Sequence, residues 1–552
     1  MTTGDTIIAD TDINPQASPQ PKRLPGLRLA LLSSVLLWLA NPGHSLWLLA
    51  WVGLTPLLLS VTRATRFRQA FWRGYVFGCI YLGAVWYWIW LTVNSWSQSD
   101  IGVLAWALLT LILALYYGVW GGLAWWLSRR TTGLWRMVAL AASWVLLEWV
   151  RTLGSCAMPW AQLSYTQYHV LPILQISELT GAYGVTFLIV LVNAALMGWW
   201  ERRGEGFSPP ATLEDTENTE GTQRKNQGRS ACLPLWVAGV SVAAVFGYGL
   251  IRMTMPEGGT PLTVAAMQGN FSANVHPDPL QTLQVVSDLT RKAAQQNPTP
   301  MLYVWGESTA KDVLHYPPSH IAFLDMARQY HAAVTVGTVL KDWEKVDGKD
   351  TLIETNSAVL FPQDGSPPQL YDKTQMVPFG EFIPLRSLLG SIMEKQFDFP
   401  SNDLVFGGHA TPQTYTDPGA GRVSLGPFIC YESMFPQMAR AMTRQGANLL
   451  VTQSNDDWFQ SNDAMEQHLS AVVLRAIENR RDIARSTTTG VSCLLDSKGQ
   501  VLQRAPTHTP AFVVATLHLL DGQTLYVRLG DWFVALCLAL VLGALWKSRH
   551  GK

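Results

Sequence analysis

Apolar residues gather in eight runs along this chain, seven before a large polar segment and one after it. A bilayer core takes about 20 mainly apolar residues per spanning helix. The runs fall at 25–41, 44–61, 71–91, 101–127, 135–151, 183–200, 234–251 and 529–546. The first two are short and joined through Asn41-Pro42-Gly43-His44, which predicts a tight helical hairpin. Gly74/Gly78 and Gly118/Gly122 sit at a spacing that lets neighbouring helices approach closely, as ordinary helix packing also requires.

Residues 255–525 have another rhythm. Short β-rich runs occur at Leu262–Met267, Met301–Trp305, Val334–Val339, Ser357–Phe361, Val423–Ile429, Leu449–Thr452, Val491–Leu495 and Phe512–Ala515. Helical spacing fills 279–295, 319–331, 435–445 and 464–481 between them. Alternation on this scale predicts an α/β domain, and both its ends enter the membrane, so it lies near the lipid surface. The expected organisation is a disordered tail over 1–24 and a membrane domain over 25–254 that includes a polar, flexible loop at 201–233. The α/β domain over 255–525 follows, then the last span and a tail over 526–552.

Basic residues orient the spans. Lys22 and Arg23, then Arg63, Arg66 and Arg68, then Arg129, Arg130 and Arg136, then Arg202, Arg203, Arg224, Lys225 and Arg229 mark alternate loops, with Lys547 and Arg549 at the end. Loops 92–100 and 152–182 contain no Lys or Arg. Both termini are therefore expected in the cytoplasm and 255–525 on the opposite, extracytoplasmic face. Arg151 and Arg252, at outer ends of spans, run against the pattern. The first 20 residues carry no Lys or Arg and do not read as a cleavable signal.

Composition agrees with this picture and narrows the chemistry. Of 552 residues 48% are hydrophobic and only 14% charged, against about 25% charged in soluble domains. The formal net charge is zero and no basic run interleaves with aromatics, so nucleic acid is not an expected partner. The six cysteines form no C-x-x-C pair and no histidine cluster joins them, which argues against zinc and redox sites.

Three motifs in the α/β segment follow strands or turns: Val304-Trp305-Gly306-Glu307-Ser308; Tyr371-Asp372-Lys373 with Val377-Pro378-Phe379-Gly380-Glu381-Phe382; and Ile429-Cys430-Tyr431-Glu432. Reacting groups in open α/β sheets gather at strand carboxyl ends. A carboxylate, an amine and a thiol there make a plausible base, electrostatic stabiliser and nucleophile. Taken singly, Glu307 reads as a surface carboxylate or cap, and Lys373 as a solvated lysine. Cys493, Cys79 and Cys537 read as buried packing.

Together the motifs resemble the nitrilase superfamily with its Glu-Lys-Cys triad. Eight spans around such a domain resemble the apolipoprotein N-acyltransferases, as do Glu148-Trp149-Val150-Arg151, Pro159-Trp160, the stretches 264–270 and 356–360, Ser454-Asn455-Asp456 and Arg485-Ser486-Thr487. The chain departs from that family at Gly306, where proline is usual, and at Thr488-Thr489-Gly490, where Asn-Asn-Gly is usual. A glycine at 306 is expected to loosen the turn before the base.

The resemblance implies an extracytoplasmic αββα sandwich attached to a polytopic helical membrane domain in the bacterial inner membrane, with the catalytic domain periplasmic. It implies that Glu307, Lys373 and Cys430 are catalytic, that Glu381 holds Lys373, and that Tyr431 and Glu432 support the nucleophile. Trp160 would line a lipid entrance or serve as an interfacial anchor. Phe382 opens an apolar stretch to Phe399, either a lid over acyl chains or bilayer, or a buried amphipathic helix. The implied reaction moves an acyl chain from a phospholipid, through a cysteine thioester, to the α-amino group of a diacylglyceryl-cysteine on an apolipoprotein. No metal or organic cofactor is implied. The competing reading is a membrane-tethered amidase or nitrilase that releases its thioester to water. A transporter ranks last, because the acidic residues in the spans, Glu148 and Asp531, sit near span ends.

Overall fold

The computed structural model describes residues 26–97, 100–205, 220–272, 278–346, 349–397, 403–408 and 410–550. The expected tail at 1–24 lies outside the described residues.

Helices stand at all eight apolar runs, but they are unequal. Gly102–Ser128, Gly133–Val150, Ala182–Arg203 and Leu233–Thr254 are long and apolar enough to cross a bilayer. Phe67–Val85 and Tyr87–Ser97 pass that test only as a pair bent by 54°. Gly26–Ala40, Trp47–Thr62 and Trp532–Trp546 are shorter. The third run is therefore not one straight helix. The Trp106 indole donates to the Gly83 carbonyl at 3.0 Å, and a side chain inserted into the helical ladder is a recognised cause of a kink. Beyond the bend, Tyr87 hydrogen-bonds Ser461 at 2.8 Å and Thr92 donates to the Trp458 carbonyl at 2.6 Å, so this half leans on the α/β domain.

Of the expected loop at 201–233, residues 206–219 lie outside the described residues, and its two ends are helical. One helix runs on to Glu205 and the next starts at Glu220, reaching Thr254. Residues 220–233 contain Gln, Arg, Lys, Glu and Ala, which favour helix even where polarity reads as loop. The glycine spacing does serve close packing. A Cβ on Gly74 would collide with the Tyr117 carbonyl, and one on Gly78 would stand 3.0 Å from the Tyr117 side chain.

The α/β segment is two stacked sheets with helices outside them. One sheet runs Ala511–Leu519, Thr260–Gln268, Leu302–Val304, Ala333–Val346, Lys349–Phe361, Gln369–Asp372, with Ala310–Lys311 added beside Ala333–Val346. The other runs Val501–Arg504, Cys493–Leu495, Ile483–Thr487, Leu449–Ser454, Gly421–Ile429, Gln413–Asp417. The first strand shows why its sequence reads as continuously apolar. Leu262, Val264 and Ala266 pack against the second sheet, while Ala265 and Met267 pack under helices Pro279–Ala294 and Pro317–Gln329. Strands covered on both faces lose alternation.

The second sheet is covered by helices Pro436–Arg444 and Asn462–Asn479, and their hydrophobic cluster continues without a break into the membrane helices. Asn462–Asn479 is consequently buried along nearly its whole length rather than amphipathic. Its polar residues find partners inside: Arg475 donates to Glu478 at 3.0 Å, and Glu478 accepts from the Ala182 amide at 2.9 Å. The strands Leu302–Val304, Ala333–Val346, Gly421–Ile429, Leu449–Ser454 and Ile483–Thr487 run parallel in pairs. The carboxyl ends of Leu302–Val304, Gly421–Ile429, Leu449–Ser454 and Ile483–Thr487 meet at one place between the two sheets, beside Gly337 within Ala333–Val346.

Candidate active site

Glu307 leaves strand Leu302–Val304 through Trp305-Gly306. The Gly306 carbonyl accepts from the Gly337 amide at 3.1 Å and the Thr309 hydroxyl at 2.8 Å. Those bonds anchor the turn from its carbonyl side. A Cβ at 306 would stand 3.1 Å from the Thr487–Thr488 backbone and 3.2 Å from the Ser454 carbonyl, closer than side chains normally pack. The second departure is likewise accommodated. The Thr488 hydroxyl donates to Asn455, while at Gly490, which the family shares, a Cβ would collide with the Asp456 carboxylate.

The structure brings Glu307, Lys373 and Glu381 into direct contact. Lys373 Nζ lies 3.2 Å from Glu307 Oε1 and 2.8 Å from Glu381 Oε1, at 1% exposure. Asn356 Nδ2 donates to the same two oxygens, at 2.7 and 3.0 Å, and the Asn455 amide donates to Glu307 Oε2 at 2.8 Å. Glu381 Oε2 accepts from the Val377 amide at 2.8 Å. Burial opposes charge on Lys373, but the Glu307 and Glu381 carboxylates outweigh it and raise its pKa well above the ordinary lysine value. The amine is held as ammonium.

Cys430 ends strand Gly421–Ile429 and opens a single helical turn, Cys430–Met434. Its φ is +48°, a left-handed conformation that costs a non-glycine residue of order 1–3 kcal/mol and persists only where surroundings impose it. Burial, and then the Glu307 carboxylate, push its thiol pKa up; Lys373 pulls the other way, Asp456 adds to the rise, and a hydrogen bond with Ser454 lowers it. At rest the group is therefore a thiol beside the Glu307 carboxylate, not a preformed thiolate. Cys493, inside strand Cys493–Leu495, is fully buried and its thiol is pushed up to about 12 by burial. Titration does not separate the two cysteines; their neighbours do.

Glu432 is the pin between the Cys430 turn and the Lys373 loop. One oxygen accepts from the Thr374 amide at 2.7 Å, the Thr374 hydroxyl at 2.9 Å, the Gln375 amide at 3.1 Å and Tyr371 at 2.9 Å. The other accepts from the Ile429 amide at 2.6 Å. Burial raises its pKa, against the pull of these donors and Lys373. Tyr431 is buried, and its hydroxyl donates to the Ala157 carbonyl at 2.6 Å, tying the Cys430 turn to the membrane domain.

Trp160, at 2% exposure, is covered: its indole donates to Gln467 at 2.6 Å and its ring lies 5.6 Å from that of His468. It forms part of the wall behind Cys430 rather than an open mouth. Phe382 is also buried, with its ring 5.2 Å from Phe406. Around it the rim is apolar and open, with Leu385 at 71% and Leu388 at 69% exposure and Phe379 and Phe406 partly bared. The helix Arg386–Phe397 lies in this rim, held by Arg386 on Asp403 at 3.0 Å. Exposed leucines on both sides of its start do not fit a buried amphipathic helix.

Asn356, Asn455, Asp456, His468 and Arg485 also converge here, and only as unassigned matching stretches did some of them show in the sequence. Asp456 Oδ1 lies 3.0 Å from His468 Nδ1, and Arg485 donates to Asp456 Oδ2 at 2.7 Å. Burial opposes ionisation of Asp456, but Arg485 and His468 overcome it and hold its carboxyl well below the usual range. No group of three or more His, Cys, Asp and Glu with metal-site geometry occurs among the described residues.

Residues 33–195 match the family model "apolipoprotein N-acyltransferase N-terminal domain", and residues 263–525 match "carbon-nitrogen hydrolase". An apolipoprotein N-acyltransferase from Geobacter metallireducens is 34% identical over 93% of this chain and 93% of its own length. One from Azotobacter vinelandii is 30% identical over 94% of each. Among solved structures, Saccharomyces cerevisiae Nit3, a member of the nitrilase superfamily, covers 47% of this chain and 90% of its own at 17% identity, with a TM-score of 0.36. The carbon-nitrogen hydrolase match coincides with the two-sheet domain that carries Glu307, Lys373 and Cys430, and the N-terminal match falls on the helices it rests on. Similarity over both parts and nearly the full length of the Geobacter relative places this chain in the apolipoprotein N-acyltransferase family.

Proposed function

We propose that this enzyme N-acylates apolipoproteins through a thioester on Cys430. The observation that carries the reading is the buried Lys373 ammonium between Glu307 and Glu381, next to a thiol held in a strained turn. As Sγ attacks the ester carbonyl of a phospholipid, Glu307 takes the thiol proton. Lys373 and the Tyr431 amide stabilise the oxyanion. Its collapse expels the lyso-phospholipid alkoxide, which recovers the proton from Glu307, and leaves the thioester. The α-amino group of a diacylglyceryl-cysteine then attacks, passing a proton to Glu307. Collapse forms the amide, and Cys430 leaves as thiolate and is reprotonated by Glu307. Glu381 keeps Lys373 charged and in place, while Glu432 positions the Cys430 turn. The raised thiol pKa supports deprotonation in step with attack.

The acceptor is supported by the relatives' names. The donor is supported by a site resting on apolar helices and rimmed by exposed Leu385 and Leu388. We place the chain in a bacterial inner membrane with eight segments entering the bilayer, the three shorter ones among them, both termini cytoplasmic and 255–525 periplasmic. The two arginines that run against the charge pattern are both tied down. Arg151 donates to Tyr117 and to the Met158 carbonyl at 3.1 Å, and Arg252 pairs with Glu178 at 2.9 Å. Phe382 and the rim beside it form the acyl entrance in this reading, with Trp160 as its back wall.

The test is to incubate the purified enzyme with phospholipid and map acylated peptides by mass. The reading expects the adduct on Cys430 and none on Cys493; acylation elsewhere, or none, overturns it.

A further inference from the structure

Behind Cys430 lies a buried cluster that the steps above do not use. His468 Nε2 stands 3.0 Å from the Cys430 carbonyl oxygen and 2.6 Å from Ser433 Oγ, and its Nδ1 stands 3.0 Å from Asp456 Oδ1. Arg485 Nη2 approaches the same Nδ1 at 3.2 Å. Ser433 Oγ itself donates to the Cys430 carbonyl at 2.8 Å. The ring is wedged between Trp160 and Phe459, whose centroids lie 5.6 and 5.5 Å from its own.

Serine, histidine and aspartate in this order have the distances of a hydrolytic triad. A second nucleophile does not follow, because Ser433, His468 and Asp456 are all fully buried and no substrate carbonyl can reach the serine. What the cluster does reach is the peptide group joining Cys430 to Tyr431. A carbonyl oxygen only accepts, so we assign the ring the protonation that puts a proton on Nε2, facing it. Two donors, from His468 and Ser433, thus converge on one carbonyl. In a trans peptide the N–H points opposite the C=O, so anchoring the oxygen on the cluster aims the Tyr431 amide to the other side. Hydrogen bonds to the oxygen also polarise the peptide and strengthen the same N–H as a donor.

We infer that His468 is a positioning residue for acyl transfer: it anchors and polarises the Cys430–Tyr431 peptide so that the Tyr431 amide serves as an oxyanion donor. The inference rests on the proposed thioester chemistry and adds the device that prepares its oxyanion site. Asp456 and Arg485 hold the far side of the ring, and Ser433 supplies the second, weaker anchor. The imposed carbonyl direction also accounts for the positive φ at Cys430, which the residue would not adopt unaided.

Two reactions of one thiol separate this role from a merely structural one. Acylation needs an oxyanion donor; alkylation by iodoacetamide needs the thiol alone. Full-length His468→Leu, His468→Gln and Ser433→Ala would be compared with wild type in vesicles of phosphatidylethanolamine and phosphatidylglycerol, with the adduct and the alkylated peptide at Cys430 both timed by mass. His468→Leu is expected to slow acylation on the order of 10- to 100-fold, the range below full loss of an oxyanion donor, while alkylation stays near the wild-type rate. His468→Gln, whose amide can still donate to the carbonyl, recovers much of the acylation, and Ser433→Ala loses less than His468→Leu. Equal losses in both reactions would make His468 a structural residue and overturn the inference, as would unchanged acylation in His468→Leu. If His468→Leu fails to fold, the inference stands or falls on Ser433→Ala slowing acylation and not alkylation. A wild-type enzyme that never acylates Cys430 would remove the underlying chemistry instead, and this result is read before any variant.

Discussion

Two regions border the Cys430 site and are built by opposite rules. Behind it, Asp456, His468, Arg485 and Glu432 are polar, buried and bonded at nearly every atom. In front, Phe379, Leu385, Leu388 and Phe406 are apolar and exposed. Buried polar groups without partners are costly, so a cluster like the first persists only when each position is held by the others. That suits groups whose placement sets a barrier. Exposed apolar groups are held by little and lose nothing when lipid covers them, which suits a surface that must admit long chains and release them. In the proposed function the back of the site fixes the reaction, and the front admits the substrates.

The sharpest break in this comparison is at Cys430, the proposed nucleophile. Cys430→Ser should lower acyl transfer by about a thousandfold or more, whereas Cys493→Ser, inside a buried strand paired with Ile483–Thr487, should keep most activity. Ranking the two variants by turnover with a lipidated peptide checks this.

Next comes a separation of charge from chemistry. Glu307 raises the Cys430 thiol pKa, so Glu307→Gln should lower it and speed alkylation by iodoacetamide at neutral pH, while abolishing the acyl adduct. Lys373→Ala should do harm on both counts: slower alkylation, because a favourable charge is lost, and a barrier to acylation higher by about 3 kcal/mol. Alkylation rates against pH for the three proteins test both directions.

The back cluster should also carry stability. Asp456→Asn leaves Arg485 buried without its counter-ion and should cost about 3–5 kcal/mol, read as a fall in unfolding temperature in detergent. The sign with pH follows from the lowered folded-state pKa. Asp456 contributes fully above the ordinary aspartate value of about 3.9 and loses its contribution as pH falls through the folded value. The gap between variant and wild type should therefore narrow on acidification below about pH 4.

The front should give the smallest effects. Leu385→Ser with Leu388→Ser should leave stability within about 0.5 kcal/mol and raise KM for phospholipid several-fold with kcat little changed. A fall in kcat alone would move the rim into the chemical machinery and erase the contrast.

What could be read in advance follows the same division. Strands with apolar faces on both sides, such as Thr260–Gln268 and Gly421–Ile429, announce themselves, and so does the order of the three motifs. Ile483–Thr487 does not, because its Arg485, Ser486 and Thr487 look like a loop until their buried partners are known. The hairpin Ala333–Val346 with Lys349–Phe361 extends well past its apolar core through residues such as Asp342 and Glu344, which patterning alone assigns to solvent. Asn356 showed only as the start of an unassigned matching stretch and His468 left no signal, since a lone amide or imidazole is more often ordinary than functional. At the bend after Val85 the Gly83 carbonyl accepts from a tryptophan of another helix, a contact no local pattern contains.

One measurement bears most directly on the central claim that Cys430 transfers acyl chains rather than releasing them to water. Purified enzyme would be loaded with radiolabelled phospholipid and freed of excess lipid, and the thioester at Cys430 followed in time. The account predicts an adduct that persists alone, with lyso-phospholipid already released, and that discharges into amide on adding a diacylglyceryl-cysteine peptide. Rapid discharge into free fatty acid, at a rate the peptide does not change, would contradict it.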